Sequence, residues 1–141
     1  MDGHIISARE IVKKKAVILI ADHNPHIRNL LKREMEQAGF QVKLAGNGTE
    51  VINMIRRHEP CDLLIIDPDM PEMTRSGVWD KLQALIPPLP IIIHGFDPKE
   101  NEHLTQFMKI QFIHKDRQSV ERLKGAVCDC LGENNKISEN I

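Results

Sequence analysis

Four apolar runs in this chain each end in residues able to do chemistry. Ala16 to Ile20 (AVILI) leads into Ala21 and then Asp22-His23, and Leu63 to Ile66 leads into Asp67-Pro68-Asp69. Ile91 to Ile93 ends in His94-Gly95, and Ile110 to Ile113 ends in His114-Lys115. Carboxylates and imidazoles hold cations, and an ammonium holds anions. Leu63 to Ile66 is too short for a free-standing helix and fits a strand covered on both faces. Pro68 and Pro71 forbid regular structure just beyond it. In an open parallel sheet, ligands gather outside the carboxyl ends of the strands, which is where Asp67 falls. A strand-ending Asp that merely turns the chain is the plainer reading, and the other strand ends must decide between them.

The histidines pose the same choice. His23, His94 and His114 lie near one rim, and with Asp22 or Asp67 they compose a set able to bind a transition metal. Ordinary rim histidines would look the same. Neighbours on a strand face opposite sides, so His114 and Lys115 cannot both enter one cleft, nor can His94 and Gly95. Cys61, Cys128 and Cys130 are expected to be reduced thiols, and the Cys128-x-Cys130 spacing is not that of a zinc site. No glycine-rich phosphate cradle follows the first run, and Gly46-Asn47-Gly48 reads as a turn signal only.

A chain of 141 residues suits one domain with one core. A composition of 41% hydrophobic and 28% charged residues is that of a soluble globular chain. A formal net charge of -1 leaves no footprint for nucleic acid or an acidic membrane. No run approaches the roughly 20 apolar residues of a membrane span, and Ile5-Ile6 is too short for a signal core, so a cytoplasmic location is expected.

Residues 1–15 read as a polar leader, 16–131 as the folded domain and 132–141 as a polar tail. Strands are expected at Ala16–Ile20, Phe40–Leu44, Leu63–Ile66, Pro90–His94 and Ile110–His114. Between them, Asn24-Pro25 starts a helix carrying Ile27, Leu30, Leu31 and Met35 up to Gly39. Val51, Ile52 and Ile55 mark a second helix. Glu72 to Ser76 is expected to be irregular, with Gly77 opening a helix on which Val78, Leu82 and Leu85 share a face. Asp97-Pro98 caps a helix bearing Leu104, Phe107 and Met108. The last helix shows Val120, Leu123, Val127 and Leu131, with Gly132 as its stop and a frayed tail beyond. Strand and helix alternate five times, which predicts an α/β fold: a flavodoxin-like (βα)5 three-layer sandwich around a five-stranded parallel sheet of order 2-1-3-4-5.

In that order the carboxyl ends of the strands bring together Asp22-His23, Asp67, His94-Gly95 and His114-Lys115. ILIADHNPHIRNLL, DLLIIDPDMPEM and FIHKD, taken in sequence, resemble the receiver domain of two-component response regulators over residues 16 to about 131. The resemblance implies that Asp67 accepts a phosphoryl group from a histidine kinase or phosphotransfer protein. It implies that Asp22, Asp67 and the residue at position 23 hold Mg²⁺, that Lys115 pairs with phosphoryl oxygens, and that Phe112 is the switch aromatic. A downstream protein partner would read the switch, and the module would at most transfer and hydrolyse its own phosphoryl group. A carboxylate attacking an anionic donor needs charge cancelled first, which a hard dication and an ammonium supply.

Several positions depart from the family pattern. His23 replaces the second acidic ligand, which should weaken Mg²⁺ and suit a transition ion better. Gly95 stands in place of the switch hydroxyl. Asp116 replaces a proline, and Thr74-Arg75 looks inserted before Gly77. A degenerate receiver that binds partners without phosphorylation is therefore the alternative. Asp67-Pro68-Asp69 also resembles the nucleophile and acid of haloacid-dehalogenase-type phosphatases, but no acidic pair follows a later strand.

Overall fold

A computed structural model describes residues 15–105 and 110–140. Most of the expected leader, together with Phe107 and Met108, lies outside the described residues. The strands are β1 (Val17–Ala21), β2 (Gln41–Ala45), β3 (Leu63–Ile66), β4 (Ile91–Gly95) and β5 (Ile110–His114). The helices are α1 (Pro25–Gln37), α2 (Gly48–Arg56), α3 (Met73–Ser76), α4 (Val78–Gln83), α5 (Glu102–Thr105) and α6 (Ser119–Asn140). All strand pairs are parallel and the order is β2-β1-β3-β4-β5, the flavodoxin-like arrangement that the alternation predicts.

Side chains alternate across the sheet and feed two cores. Ile18, Ile20, Leu63, Ile65 and Ile92 face Leu31 and Met35 of α1 and Leu123, Val127 and Leu131 of α6. Leu19, Leu64, Ile66, Ile91 and Ile93 face Val51 and Ile52 of α2, Met73 of α3, Val78 and Leu82 of α4, and Leu104 of α5. β1, β3 and β4 are buried along their whole length, which explains their unbroken apolar runs.

Several element boundaries differ from expectation. β1 and β2 each lie one residue later than the hydropathy pattern places them, because Ala21 pairs with Ala45 and Ile66. The stretch expected to be irregular forms the single turn α3, closed by the Ser76 amide donating to the Glu72 carbonyl at 3.0 Å. α4 stops at Gln83, so Leu85 packs from outside it. Asp97-Pro98 makes a turn rather than a cap: Asp97 Oδ1 accepts from the Lys99 amide at 2.9 Å, and α5 starts only at Glu102. α6 does not stop at Gly132 but continues to Asn140. A helical glycine costs only about 1 kcal/mol, and no proline follows to enforce an end.

Gly46-Asn47-Gly48 is more than a turn. Asn47 caps α2 by accepting from the Glu50 amide at 2.8 Å. The Gly48 amide donates to the Pro71 carbonyl at 3.0 Å, in the loop that follows Asp67. A Cβ at Gly48 would stand 2.8 Å from the Glu72 carbonyl oxygen, so only glycine permits this approach. The start of α2 thereby braces the loop beyond β3.

Candidate functional site

Backbone bonds at the sheet's carboxyl edge aim the site. The Asp22 amide donates to the Ala45 carbonyl at 3.0 Å, and the Asp67 amide to the Ala21 carbonyl at 2.8 Å. The Lys115 amide donates to the Gly95 carbonyl at 2.8 Å. Each residue thus prolongs its strand's pairing by one step, and the side chains of 22, 67 and 115 turn into one pocket. Asp22 and Asp67 are 2% and 1% exposed, and Lys115 is 7% exposed.

Lys115 Nζ lies 2.7 Å from Asp22 Oδ2 and 3.3 Å from Asp67 Oδ2. His23 Nδ1 donates to Asp67 Oδ2 at 2.8 Å and stands 3.8 Å from Asp22 Oδ1. The other oxygens are held from the backbone: Asp22 Oδ1 accepts from the Asn24 amide at 2.9 Å, and Asp67 Oδ1 from the Asp69 amide at 2.8 Å. Two buried carboxylates share one ammonium, which leaves one negative charge uncompensated when the imidazole is neutral. Buried charge is stable only when paired, so the pocket favours a further cation. Asp22, His23 and Asp67 are the group among the described residues whose ligand atoms converge, all within 4.8 Å of one another. The carboxylate oxygens fit a hard dication, while the imidazole nitrogen does not.

The other expected positions surround this pocket differently. Gly95 ends β4, and a Cβ there would meet Pro68 Cγ at 3.0 Å and Cδ at 3.1 Å. The proline ring fills the room that a hydroxyl-bearing side chain would need. Phe112 is half-buried in the core shared with Ile93, and its Cε2 would be 3.6 Å from that same Cβ. The proposed trio of histidines does not assemble. His94 is buried on the opposite face, with Nε2 2.9 Å from Ser119 Oγ. Ser119 Oγ donates to the Asp116 carbonyl at 2.8 Å, so the imidazole must donate through Nε2, and its Nδ1 has no partner. Burial, aided by the Lys115 charge, pushes the His94 pKa down to about 4. His114 is exposed and sits 3.5 Å from Asp116 Oδ2. Only His23 joins the carboxylates.

Some participants escaped the sequence reading. Arg28 Nη1 donates to the Asp22 carbonyl at 2.6 Å, tying α1 to the pocket. Pro68, a helix and strand breaker by sequence, also packs against Gly95. The exposed Phe96 places its ring centroid 5.5 Å from Lys115 Nζ, a cation–π contact. Asp116, expected only as a lost proline, makes the turn before α6: its Oδ1 accepts from the Gln118 amide at 2.8 Å, and Arg122 holds its carboxyl below the usual range. Asp69 reaches Asp67 only through its amide and its side chain is exposed, unlike the acid of a phosphatase pair.

Fold and pocket together define a doubly wound α/β module with an acidic, lysine-containing site at its switch edge. The chain belongs to the response regulator receiver domain family, whose pattern it matches over residues 18–127. It is a receiver-type signalling module of two-component systems. Response regulator MprA of Mycobacterium leprae is 33% identical over 76 residues, covering 54% of this chain and 33% of that protein. The transcriptional regulatory protein GlrR of Escherichia coli is 33% identical over 88 residues, 60% of this chain and 20% of that protein. The chain thus spans a third or less of the length of these relatives. A CheY-like receiver domain from Methanospirillum hungatei superposes with a TM-score of 0.73 at 24% identity, covering 87% of this chain and 98% of that one. The response regulator TrrA of Thermotoga maritima, solved with Mg²⁺ and BeF, gives 0.71 at 26% identity over 82% of this chain and 99% of that one. Among the described residues, no helix is long and apolar enough to cross a membrane.

Proposed function

We propose that Asp67 accepts a phosphoryl group from a phosphohistidine on a histidine kinase or phosphotransfer protein, in the cytoplasm, and that residues 16–131 act as the receiving unit. The observation that carries this is the convergence of Lys115 Nζ on both Asp22 and Asp67, residues remote in sequence and almost wholly buried. Asp67 Oδ1 accepts from the Asp69 amide while Oδ2 faces Lys115 and His23, so an anionic donor reaches this carboxylate beside an ammonium. As the P–O bond forms, the P–N bond to the donor imidazole breaks, and the donor nitrogen leaves with the pair of electrons. Lys115, freed from part of its carboxylate pairing, holds the phosphoryl oxygens. A dication held by Asp22, Asp67 and His23 would offset the remaining negative charge; as Mg²⁺, it would be weakened by the imidazole. Self-phosphotransfer and slow hydrolysis of the acyl phosphate are the most chemistry this set performs. A downstream protein partner reads the result, with Gly95 and Phe112 at the position of the switch.

Incubation with acetyl phosphate and millimolar Mg²⁺ or Mn²⁺ should add the mass of one phosphoryl group to the intact chain. Asp67→Asn should show no gain. One observation favours a second reading, in which the module binds partners without phosphorylation: Pro68 fills the space beside Gly95, where the family places a hydroxyl. No mass gain with either metal would select that reading.

A further inference from the structure

We infer that the cation pocket is a mixed nitrogen–oxygen site selective for a divalent transition ion over Mg²⁺, with His23 as the residue that sets the selectivity. With metal–ligand bonds of about 2.1 Å, neighbouring donors stand about 3.0 Å apart in an octahedron and about 3.4 Å in a tetrahedron. His23 Nδ1 is 2.8 Å from Asp67 Oδ2 and 3.8 Å from Asp22 Oδ1, separations that bracket those edges. Asp67 Oδ2 and Asp22 Oδ1 thus both stand near one coordination edge from the same imidazole nitrogen, and the three donors fall within 4.8 Å of one another.

Lys115 leaves room for an ion there. It binds Asp22 most closely through Oδ2, leaving Oδ1, the oxygen nearer His23, with a lone pair beyond the one taken by the Asn24 amide. It also stands 3.3 Å from Asp67 Oδ2, whose other lone pair takes the His23 N–H that an ion would replace. Asp22 and Asp67 are nearly sealed from solvent while His23 is 51% exposed, so an ion can enter on the imidazole side. Uptake replaces the Nδ1–H to Asp67 bond with an Nδ1–metal bond, and the proton moves to the exposed Nε2 side. Mg²⁺ gains little from a nitrogen donor and leaves its water reluctantly, whereas Ni²⁺, Co²⁺ and Zn²⁺ bind imidazole well. His94 and His114 lie away from the pocket and add no donors.

Calorimetric titration of the full chain with NiCl₂ and with MgCl₂, without any phosphodonor, tests this. The wild type should take up one Ni²⁺ at least about a hundredfold more tightly than Mg²⁺, and His23→Ala should lose that site. Carboxylates alone also favour Ni²⁺, so the deciding quantity is the ratio of the two affinities. It should fall at least about tenfold in His23→Asp, which supplies an oxygen in place of the nitrogen. An unchanged ratio in His23→Asp overturns the inference, as does tight Ni²⁺ binding that survives His23→Ala, or a wild type that binds neither ion. The two His23 outcomes leave open whether Asp67 accepts phosphate, which the mass measurement reads separately.

Discussion

At the carboxyl ends of β1 and β3, two buried carboxylates are each held by a backbone amide and share one ammonium. At the ends of β4 and β5 the side chains other than Lys115 turn elsewhere. Gly95 has none to offer, His94 bonds to Ser119 at the start of α6, and Phe112 lies half-buried in the core. The first half keeps the charges needed to accept an anion. The second half has exchanged a polar contact with the pocket for packing and for a tie to α6. On the proposed function, the ends of β1 and β3 with Lys115 would accept the group, while the ends of β4 and β5 would transmit its arrival.

That contrast can be broken most forcefully at its shared residue. Lys115→Ala leaves two buried carboxylates without their ammonium, and removing one partner of a buried ionic set typically costs about 3–5 kcal/mol. The urea midpoint should fall accordingly, and a divalent cation should restore part of the loss. A cost under about 1 kcal/mol would mean that His23 already balances the pocket and that the first half does not depend on Lys115.

The second half should respond to acid. His94 is neutral in the folded protein with a pKa near 4, while the unfolded chain takes up that proton from about pH 6.5. The unfolded state therefore binds more protons between these values, and stability falls as pH drops from about 6.5 to about 4, by roughly 3 kcal/mol. Below about pH 4 this contribution levels off. Subtracting the stability profile of His94→Leu from that of the wild type isolates it. A flat difference would show that the His94–Ser119 tie is solvated and the second half less sealed than its geometry indicates.

The smallest effect sharpens the comparison at its seam. Gly95→Ser pushes a Cβ into the Pro68 ring and should cost about 1–2 kcal/mol. In a Pro68→Ala background that cost should drop by at least about 1 kcal/mol, since the two positions touch and should not be additive. Equal costs in both backgrounds would mean that Pro68 is not what keeps a side chain off position 95.

Much of this was legible along the chain. The apolar runs before Asp22, Asp67 and Lys115 are strands, and parallel pairing carries all three residues to one edge. Gly48 looked like a turn residue because its need is steric, imposed by the Glu72 backbone across space. α6 passes Gly132 because a lone glycine is a weak stop when nothing beyond it breaks the helix. His94 was grouped with His23 because both follow strands, but alternation along β4 sends it to the α6 side.

Residue type and period determined the layered α/β architecture and narrowed the strand order to few alternatives, while the likeness to the receiver family picked out Asp22, Asp67 and Lys115 among the residues at the strand ends. Only tertiary structure decided which oxygen each cation takes, which histidine joins them and what fills the space beside Gly95. Those outcomes depend on contacts of an ångström or less in tolerance between segments far apart in the chain, and no local pattern encodes them.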